Sequence, residues 1–308
     1  MCGGHRLSNE VTMFRQTAEE FREKQMSYRA RLLKYIERGS FRRKAAVRQV
    51  LPTMPKRRGS SMYYNNSYTR IAVCEQATAI IEPHLKKQEG EVFMFGATCA
   101  RFGVTLSSPK GQPIESIGKW IEELFAGMNY IGVIEAAWFG NFRSSGSPYP
   151  EPRLSWHFHI LIWGQEEDRL RAIKHLINRT ERGFTGFQNP ADCRRARTDD
   201  GLADRLRYFL KAPVKESRII NNPVQFGTSR KPGRTKKRDL APGNGLRLMS
   251  LIGDRMIGDL LPAGGEGVDL KMKVLDAAKA ELERQEAQDR ARQREFLRRA
   301  VNVGLRYQ

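Results

Sequence analysis

The segment SWHFHILIWG, residues 155–164, decides the fold, because its length and apolar character predict a buried β-strand. Side chains of a strand alternate between its two faces, so His157 and His159 emerge side by side. On a helix, residues two apart would point about 200° away from each other. Phe158 points to the opposite face. The strand therefore carries a pair of imidazoles on one face of a core sheet.

The composition favours a nucleic-acid partner. The chain has 308 residues and a formal net charge of +20, from 54 Lys and Arg against 34 Asp and Glu. Such a charge makes a polyanion the leading partner, although ribosomal and membrane-surface proteins share it. The four cysteines show no CxxC pair, which argues against a zinc ribbon or a disulfide framework. The first ten residues, MCGGHRLSNE, lack a signal-peptide apolar core, and no long apolar run follows. We expect a cytoplasmic protein without a membrane partner.

The elements around the histidine strand predict the fold class. Strands are predicted near 91–102, 129–138 and 191–197, and helices over 113–128, 165–183 and 199–212, the last ending before Pro213. With the histidine strand third among the strands, the order is βαββαβα. This order predicts an α+β fold with a ferredoxin-like or RRM-like antiparallel sheet and helices on one face.

The rest of the chain predicts extensions to this domain. Residues 1–60 look helical and basic, and are either a solvated charged helix or a DNA-contacting arm. The main domain is predicted over 68–215, after a linker rich in Pro, Gly, Ser and Asn. Residues 216–265 are predicted as a basic flexible segment. Residues 266–308 are predicted as a long charged helix whose apolar stripe is too short for a sustained coiled coil.

Two histidines and one glutamate predict a metal site. Neutral imidazoles are good metal ligands, and His157 and His159 lie on one strand face. Glu135 lies near the end of the preceding predicted strand. Antiparallel pairing of the two strands would bring its carboxylate to the same face. The alternative is that the histidines only pack and hydrogen-bond, and that Glu135 lies on a solvated strand face.

Tyr208 and Lys211 predict a second functional element. In the segment DRLRYFLKAPV they lie three residues apart on a predicted helix, so their side chains are neighbours one turn apart. The phenol is a nucleophile when a metal or a cation assists it, and the lysine would stabilise charge on a phosphoryl group. The alternative is an aromatic residue that packs and a lysine at the surface.

Together these motifs resemble the HUH endonucleases, and the rolling-circle replication initiators in particular. Their motif of histidine, hydrophobic residue, histidine matches HFH at 157–159, and their Tyr-x-x-Lys motif matches YFLK at 208–211. A further apolar motif matches FGATCARFG at 95–103 loosely. Many initiators carry another aromatic after the lysine, where this chain has Ala212 and Pro213. The resemblance covers about residues 91–215.

The resemblance implies metal-dependent nicking and joining of DNA at a specific site and strand through a 5′-phosphotyrosine intermediate, by an HUH endonuclease domain. It assigns Tyr208 as nucleophile, Lys211 as its assistant, and His157, His159 and Glu135 as ligands of Mg²⁺ or Mn²⁺. The partners would be single-stranded or supercoiled origin DNA of a plasmid or single-stranded DNA phage, with a helicase and a polymerase of the bacterial host cell. The motif has one tyrosine, so a second joining step would draw on a distant residue or on a second subunit of a homo-oligomer.

Basic residues of the main domain and of the segment after it are expected to bind the DNA backbone. These residues are Arg101, Arg194, Arg195, Arg197, Lys215, Arg218, Arg230, Lys231, Arg234, Lys236, Lys237 and Arg238. Solvated surface charge is the alternative, in particular for the run from 230 to 238. A GxxxxGK[ST] loop is absent from the sequence, so a fused helicase is not expected.

Two other functions stay open. A relaxase or a single-strand transposase would use the same chemistry. A non-catalytic, RRM-like nucleic-acid-binding protein would instead stack bases on Phe93, Phe95 and Phe158. The strand alternation separates these classes, since Phe158 points away from the histidines. The catalytic interpretation requires the helix with Tyr208 to lie on the histidine face, and it fails if that helix packs on the Phe158 side.

Overall fold

The computed structural model describes residues 16–39, 61–106, 113–142, 151–186, 188–196, 201–211, 213–220 and 234–304, with side chains of the last helix as far as residue 295. Within these residues the fold is a mixed α+β structure, so the predicted class is confirmed at that level. The helices are α1 Ala18–Glu37, α2 Ser67–Lys87, α3 Ile114–Leu124, α4 Glu167–Thr180, α5 Leu202–Phe209, α6 Pro242–Ile252 and α7 Glu266–Gly304. The strands are β1 Val92–Ala97, β2 Gly103–Thr105, β3 Asn129–Phe142, β4 Glu151–Trp163, β5 Ala191–Ala196, β6 Lys215–Ile220, β7 Arg234–Asp239 and β8 Ala263–Gly264.

The strands form one mixed sheet in the order β5-β1-β4-β3-β6-β7. In addition, β2 pairs with β4 and β8 pairs with β3. All of these pairs are antiparallel except β3 with β6, which is parallel. The histidine strand β4 is central, and its apolar residues Leu161 and Ile162 are fully buried. The strands and helices predicted between 91 and 211 occur in the predicted order, with β2 as an additional short strand that the sequence did not indicate.

Helices lie on both faces of the sheet. On one face, Phe158 contacts Trp120 of α3, with ring centroids 5.8 Å apart. On the opposite face, Trp163 contacts His84 of α2 at 5.9 Å. The prediction of helices on one face is therefore wrong. The histidine face of the sheet also carries buried apolar residues, including Val133 and Leu161, and these need a covering layer.

The predicted N-terminal extension is part of the fold where the structure describes it. A capping box of Thr17 and Glu20 starts α1. Phe21 and Leu32 of this helix are buried in apolar clusters. α1 is thus neither a solvated helix nor an exposed arm. Residues 1–15 and 40–60, which include part of the predicted linker, lie outside the described residues.

The predicted C-terminal helix is present as α7 and packs against α2. Its thin apolar stripe, which includes Leu270, Val274 and Leu282, is buried inside the chain. The segment predicted as flexible, 216–265, instead contains β6, β7, α6 and β8 where the structure describes it. The basic composition of this segment suggested flexibility, but its apolar residues, such as Leu248 and Met249, are buried in the core. Among the described residues, no helix is long and apolar enough to cross a membrane.

Candidate metal centre and tyrosine site

Strands β3 and β4 bring the three predicted ligands together. Their antiparallel register places Glu135 opposite His157 and Val133 opposite His159. One ligand atom from each of Glu135, His157 and His159 lies within 4.8 Å of the others. All three side chains are largely withdrawn from solvent. This group can hold a metal ion.

The hydrogen bonds of His157 fix the proton on its ring. Its Nδ1 lies 3.1 Å from the carbonyl oxygen of Ser155, which can only accept, so Nδ1 donates. In the neutral ring, Nε2 then carries a lone pair and faces Oε1 of Glu135 at 3.0 Å. Two acceptors this close favour a cation between them, either a proton or a metal ion. The arrangement suits metal binding, because a second hydrogen bond commonly orients a ligating imidazole in this way.

The charge state of Glu135 is set by its neighbours. Burial raises the pKa of this carboxyl, but the Lys211 ammonium and the adjacent imidazoles of His157 and His159 outweigh burial and hold the pKa well below its usual range. Lys211 Nζ lies 3.1 Å from both carboxylate oxygens. Burial lowers the pKa of Lys211, and the negative charge of the adjacent Glu135 raises it by more. Glu135 is thus an anion beside a cation.

Among the described residues, Nε2 of the candidate ligand His159 has no hydrogen-bond partner. Its Nε2 is buried and lies 3.4 Å from Oε1 of Glu135, in an orientation that is not a regular hydrogen bond. Burial lowers the pKa of His159 more than the nearby Glu135 carboxylate raises it. The ring is therefore neutral near pH 7, as a metal ligand must be. Two imidazoles and one carboxylate fit a divalent cation with open coordination positions.

Helix α5 lies on the histidine face of the sheet. The Tyr208 ring meets the His159 ring edge to face at 5.6 Å between centroids, and Phe209 stacks on His159 at 5.7 Å. Tyr208 and the two histidines therefore share one face of the sheet, which is the arrangement that the catalytic interpretation requires. Tyr208 is half-buried, so its position combines contact with the metal site and access to solvent.

Lys211 lies beyond the helix rather than on it. α5 ends at Phe209, so it is shorter than the predicted helix, and Lys211 follows its C-terminal end. The side chain of Lys211 turns back, so that its Nζ lies 3.7 Å from the centroid of the Tyr208 ring. It also donates a hydrogen bond to the Tyr208 carbonyl oxygen at 3.1 Å. Tyr208 and Lys211 are therefore close in space as predicted, but a turn after α5, and not helical spacing, brings them together.

Helix α1 holds α5 in place. The Gln16 backbone N–H donates to Asp204 at 3.2 Å, and Arg207 donates to the Gln16 carbonyl oxygen at 2.9 Å. The buried amide of Gln25 donates to the carbonyl oxygen of Leu210 at 3.4 Å. The N-terminal helix therefore contributes to the position of the tyrosine, a role that the sequence did not indicate.

Gly96 on β1 is a further residue of the site that the sequence did not single out. It lies opposite His159 across the β1–β4 pair. A Cβ atom at this position would lie 2.9 Å from Nδ1 of His159 and 3.2 Å from the carbonyl oxygen of Phe158. The absence of a side chain makes room for the His159 ring.

We expect Gly96→Ala to displace the His159 ring and to weaken Mn²⁺ binding by about tenfold, the scale of other changes in the residues that orient metal ligands. Isothermal titration calorimetry measures the effect. Gly118→Ala is a matched control, because a Cβ at Gly118 on α3 meets nothing within 4 Å. Equal Mn²⁺ affinity in Gly96→Ala and the unmodified protein would contradict this role.

Tyr64 and Arg70 lie close to this site but are poor candidates for chemistry. The Arg70 guanidinium is fully buried and lies 5.3 Å from the centroid of the Tyr64 ring. Burial raises the pKa of Tyr64, and the opposing charges of Arg70 and Lys211 do not overcome it. A buried phenol with a raised pKa is a weak nucleophile. Tyr208 is therefore the better placed of the two tyrosines.

The basic residues predicted to bind DNA do not form one surface. Arg194 is paired with Asp192 at 2.5 Å on the histidine side of β5. Arg195 points to the other face, where it contacts Glu91 and Glu167. Arg101 pairs with Glu181 at 3.3 Å and stacks on Trp120.

The remaining described basic residues lie on β6 and β7. Lys215 pairs with Asp239, while Arg218 and Arg238 both contact the buried Glu216. Lys236 and Lys237 on β7 are exposed. The structure describes the backbone of Arg234 but not its side chain, and Arg197, Arg230 and Lys231 lie outside the described residues.

Comparisons with protein-family models, with curated proteins and with solved structures found no match to this chain. The site itself is therefore the basis for a function: a carboxylate and two imidazoles that can hold a metal ion, with a tyrosine and a lysine beside them.

Proposed function

We propose that this chain is a single-tyrosine HUH endonuclease that nicks and joins DNA and initiates rolling-circle replication. One observation carries the proposal: α5 places Tyr208 on the same sheet face as the Glu135, His157 and His159 group, with Lys211 between them. Phosphodiester transfer needs positioning and charge neutralisation, and this arrangement provides groups for both.

The strand order supports an HUH-type core within the larger sheet. The four strands β5-β1-β4-β3 are neighbours in that order and pair antiparallel throughout. Connected by α3 and α4, they follow the βαββαβ order of a ferredoxin-like or RRM-like fold. We propose this core as the catalytic domain, to which the remaining elements are added.

The alternative of a non-catalytic RRM-like protein is not favoured. That function requires exposed aromatic residues on the central strands. Here Phe93, Phe95 and Phe158 are buried, and Phe158 is covered by α3 and Phe125. A relaxase or a single-strand transposase would use the same site, so these remain variants of the same proposal.

The residues suggest a direct mechanism. Glu135, His157 and His159 would hold Mg²⁺ or Mn²⁺, which polarises the scissile phosphate when bound. The Tyr208 hydroxyl loses its proton to solvent as its oxygen forms a bond to phosphorus and the bond from phosphorus to the 3′ oxygen breaks. The 3′ oxygen takes up a proton, which leaves a free 3′-OH and a 5′-phosphotyrosine. Joining reverses these steps when a 3′-OH attacks the phosphotyrosine and releases the phenol.

Lys211 would stabilise the negative charge that develops at Tyr208 and at the phosphate. Its ammonium lies 3.7 Å from the centroid of the Tyr208 ring and 3.1 Å from the Glu135 carboxylate. Single-stranded or supercoiled origin DNA is the proposed substrate. A host polymerase would extend the 3′-OH while a host helicase separates the strands. A second subunit could supply the tyrosine for a further joining step.

The test is incubation with single-stranded DNA from the protein's own replicon, with Mn²⁺ or with EDTA, followed by denaturing electrophoresis. We expect a covalent protein–DNA adduct that forms with Mn²⁺ and is absent with EDTA. An adduct that forms equally in EDTA would contradict the metal-dependent mechanism. The absence of any adduct on both strands of the replicon would contradict the proposed function.

We expect Lys211→Met to lower the rate of adduct formation by about 100-fold while Mn²⁺ binding becomes stronger. The rate falls because a charge-stabilising group is lost. The affinity rises because a cation 3.1 Å from the Glu135 carboxylate no longer competes with the metal. Single-turnover kinetics and calorimetry measure the two effects.

Lys119→Met is the control for the lysine substitution, because Lys119 is exposed on α3, the helix on the opposite sheet face. Lys119→Met should change neither the rate of adduct formation nor the affinity for Mn²⁺. If Mn²⁺ affinity in Lys211→Met falls in parallel with the rate, Lys211 maintains the structure of the site instead of acting on the reaction.

A further inference from the structure

Strands β6 and β7 form a two-stranded antiparallel ribbon beside β3. The six register pairs run from Lys215 with Asp239 to Ile220 with Arg234. β7 lies at the end of the sheet path among the described strands, so its outer side faces no strand of that path. The two sequences, KESRII and RTKKRD, contain six basic and two acidic side chains. The ribbon is therefore strongly positive.

The two acidic side chains are engaged within the ribbon. Glu216 is fully buried and is contacted by Arg238 and by Arg218, the latter at 3.6 Å. Asp239 lies 2.5 Å from Lys215. Lys236 and Lys237 are exposed, and the ion pairs of the described residues include neither of them. These two lysines carry part of the uncompensated positive charge of the ribbon.

The two lysines point to opposite faces of the ribbon. Lys236 lies across from Arg218, whereas Lys237 lies across from Ser217, and adjacent residues of a strand alternate between faces. A single strand of DNA lying on one face would contact one lysine only. A duplex groove has a phosphate backbone on each wall, so a ribbon inside it faces phosphates on both sides.

We propose that the exposed β7 edge of the β6–β7 ribbon enters a groove of duplex DNA, with Lys236 and Lys237 contacting phosphates on its two walls, while the buried Glu216 and Ile219 hold β6 in the sheet. The major groove of B-DNA is about 12 Å wide and admits a two-stranded ribbon. The assignment of this duplex as the one that flanks the cleavage position rests on the proposed function.

The ribbon is separate from the metal centre. β6 runs parallel to β3 and begins beside Trp138, three residues beyond Glu135. Lys236 is two strands away from β3 and further along it, which places it roughly 20 Å from Glu135 by strand geometry. Substitutions in the ribbon therefore act on DNA binding without contact with the metal ligands.

Edge lysines also protect a sheet from pairing with another chain. If this is the role of the two lysines, replacing them causes aggregation but does not change the DNA affinity of the monodisperse protein. Size-exclusion chromatography of each variant therefore accompanies the binding measurement, and only monodisperse protein is compared.

The test compares Lys236→Gln/Lys237→Gln with the unmodified protein. The probe is a labelled 20-base-pair duplex of replicon sequence, measured by fluorescence anisotropy over a range of salt concentrations. Loss of two phosphate contacts should make the slope of log K against log salt shallower by about two and weaken binding roughly 50-fold at 0.1 M salt. Lys86→Gln/Lys87→Gln, an exposed lysine pair at the end of α2, should keep the affinity of the unmodified protein.

Three results would overturn the proposal: an unchanged salt slope in Lys236→Gln/Lys237→Gln, an equal loss in the Lys86 and Lys87 variant, or an equal loss for an unpaired oligonucleotide of the same length. The proposed function fails on a different measurement. The absence of a covalent adduct with the unmodified protein counts against nicking, whereas the duplex affinities of the variants decide the ribbon.

Discussion

Tyr208→Phe is expected to form no covalent adduct with single-stranded replicon DNA in Mn²⁺, a loss of at least about a thousandfold. The substitution removes only the phenol oxygen that would attack phosphorus. The ring still meets His159 at 5.6 Å and Lys211 at 3.7 Å, so the surrounding geometry is retained. Denaturing electrophoresis of the protein–DNA product measures the loss, and Mn²⁺ binding by calorimetry should be unchanged.

Tyr130→Phe is the matched control. Tyr130 is buried on β3, and its ring contacts Phe125 at 5.9 Å, on the sheet face away from the histidines. This variant should form the adduct at the rate of the unmodified protein. If Tyr208→Phe still forms an adduct, Tyr208 is not the nucleophile, and mapping of the linked peptide would identify the residue that is.

His157→Ala is expected to weaken Mn²⁺ binding by at least about 100-fold and to abolish cleavage, while DNA binding is largely retained. The metal loses a ligand whose ring is held by Ser155 and directed at Glu135. On the proposed function, DNA affinity would depend mainly on phosphate contacts elsewhere on the protein. Calorimetry measures metal binding, and fluorescence anisotropy measures DNA binding.

His175→Ala controls for the loss of an imidazole, because His175 is exposed on α4. Metal binding and cleavage should match those of the unmodified protein. A parallel loss of thermal stability, DNA binding and cleavage in His157→Ala would show that His157 supports the fold instead of the metal site.

The metal group could be predicted from the sequence because it depends on one simple rule. Strand side chains alternate, so His157 and His159 had to share a face once the strand was assigned. Glu135 required only that consecutive strands pair antiparallel, and the register places it opposite His157. The two-residue alternation of strand side chains and the pairing of consecutive strands are strong constraints, and both can be inferred from a single sequence.

The other parts of the fold depend on contacts that a linear pattern does not show. The polar composition of α1 suggested a solvated helix or an arm, but the tertiary contacts of Phe21 and Gln25 decide its position. The basic sequence of β7 suggested flexibility, whereas pairing with β6 makes it a strand. The role of Gly96 depends on the position of β1 beside His159, and the sequence around Gly96 does not indicate this pairing.

The contacts between α1 and α5 have a consequence for synthesis of the chain. Gln25 leaves the ribosome 185 residues before its partner Leu210. At about 5–20 residues per second, this interval lasts about 10–40 s. During it, Phe21 on the apolar side of α1 lacks the core in which it is later buried. Helix α5, which carries Tyr208, is thus fixed against α1 only after most of the chain has emerged.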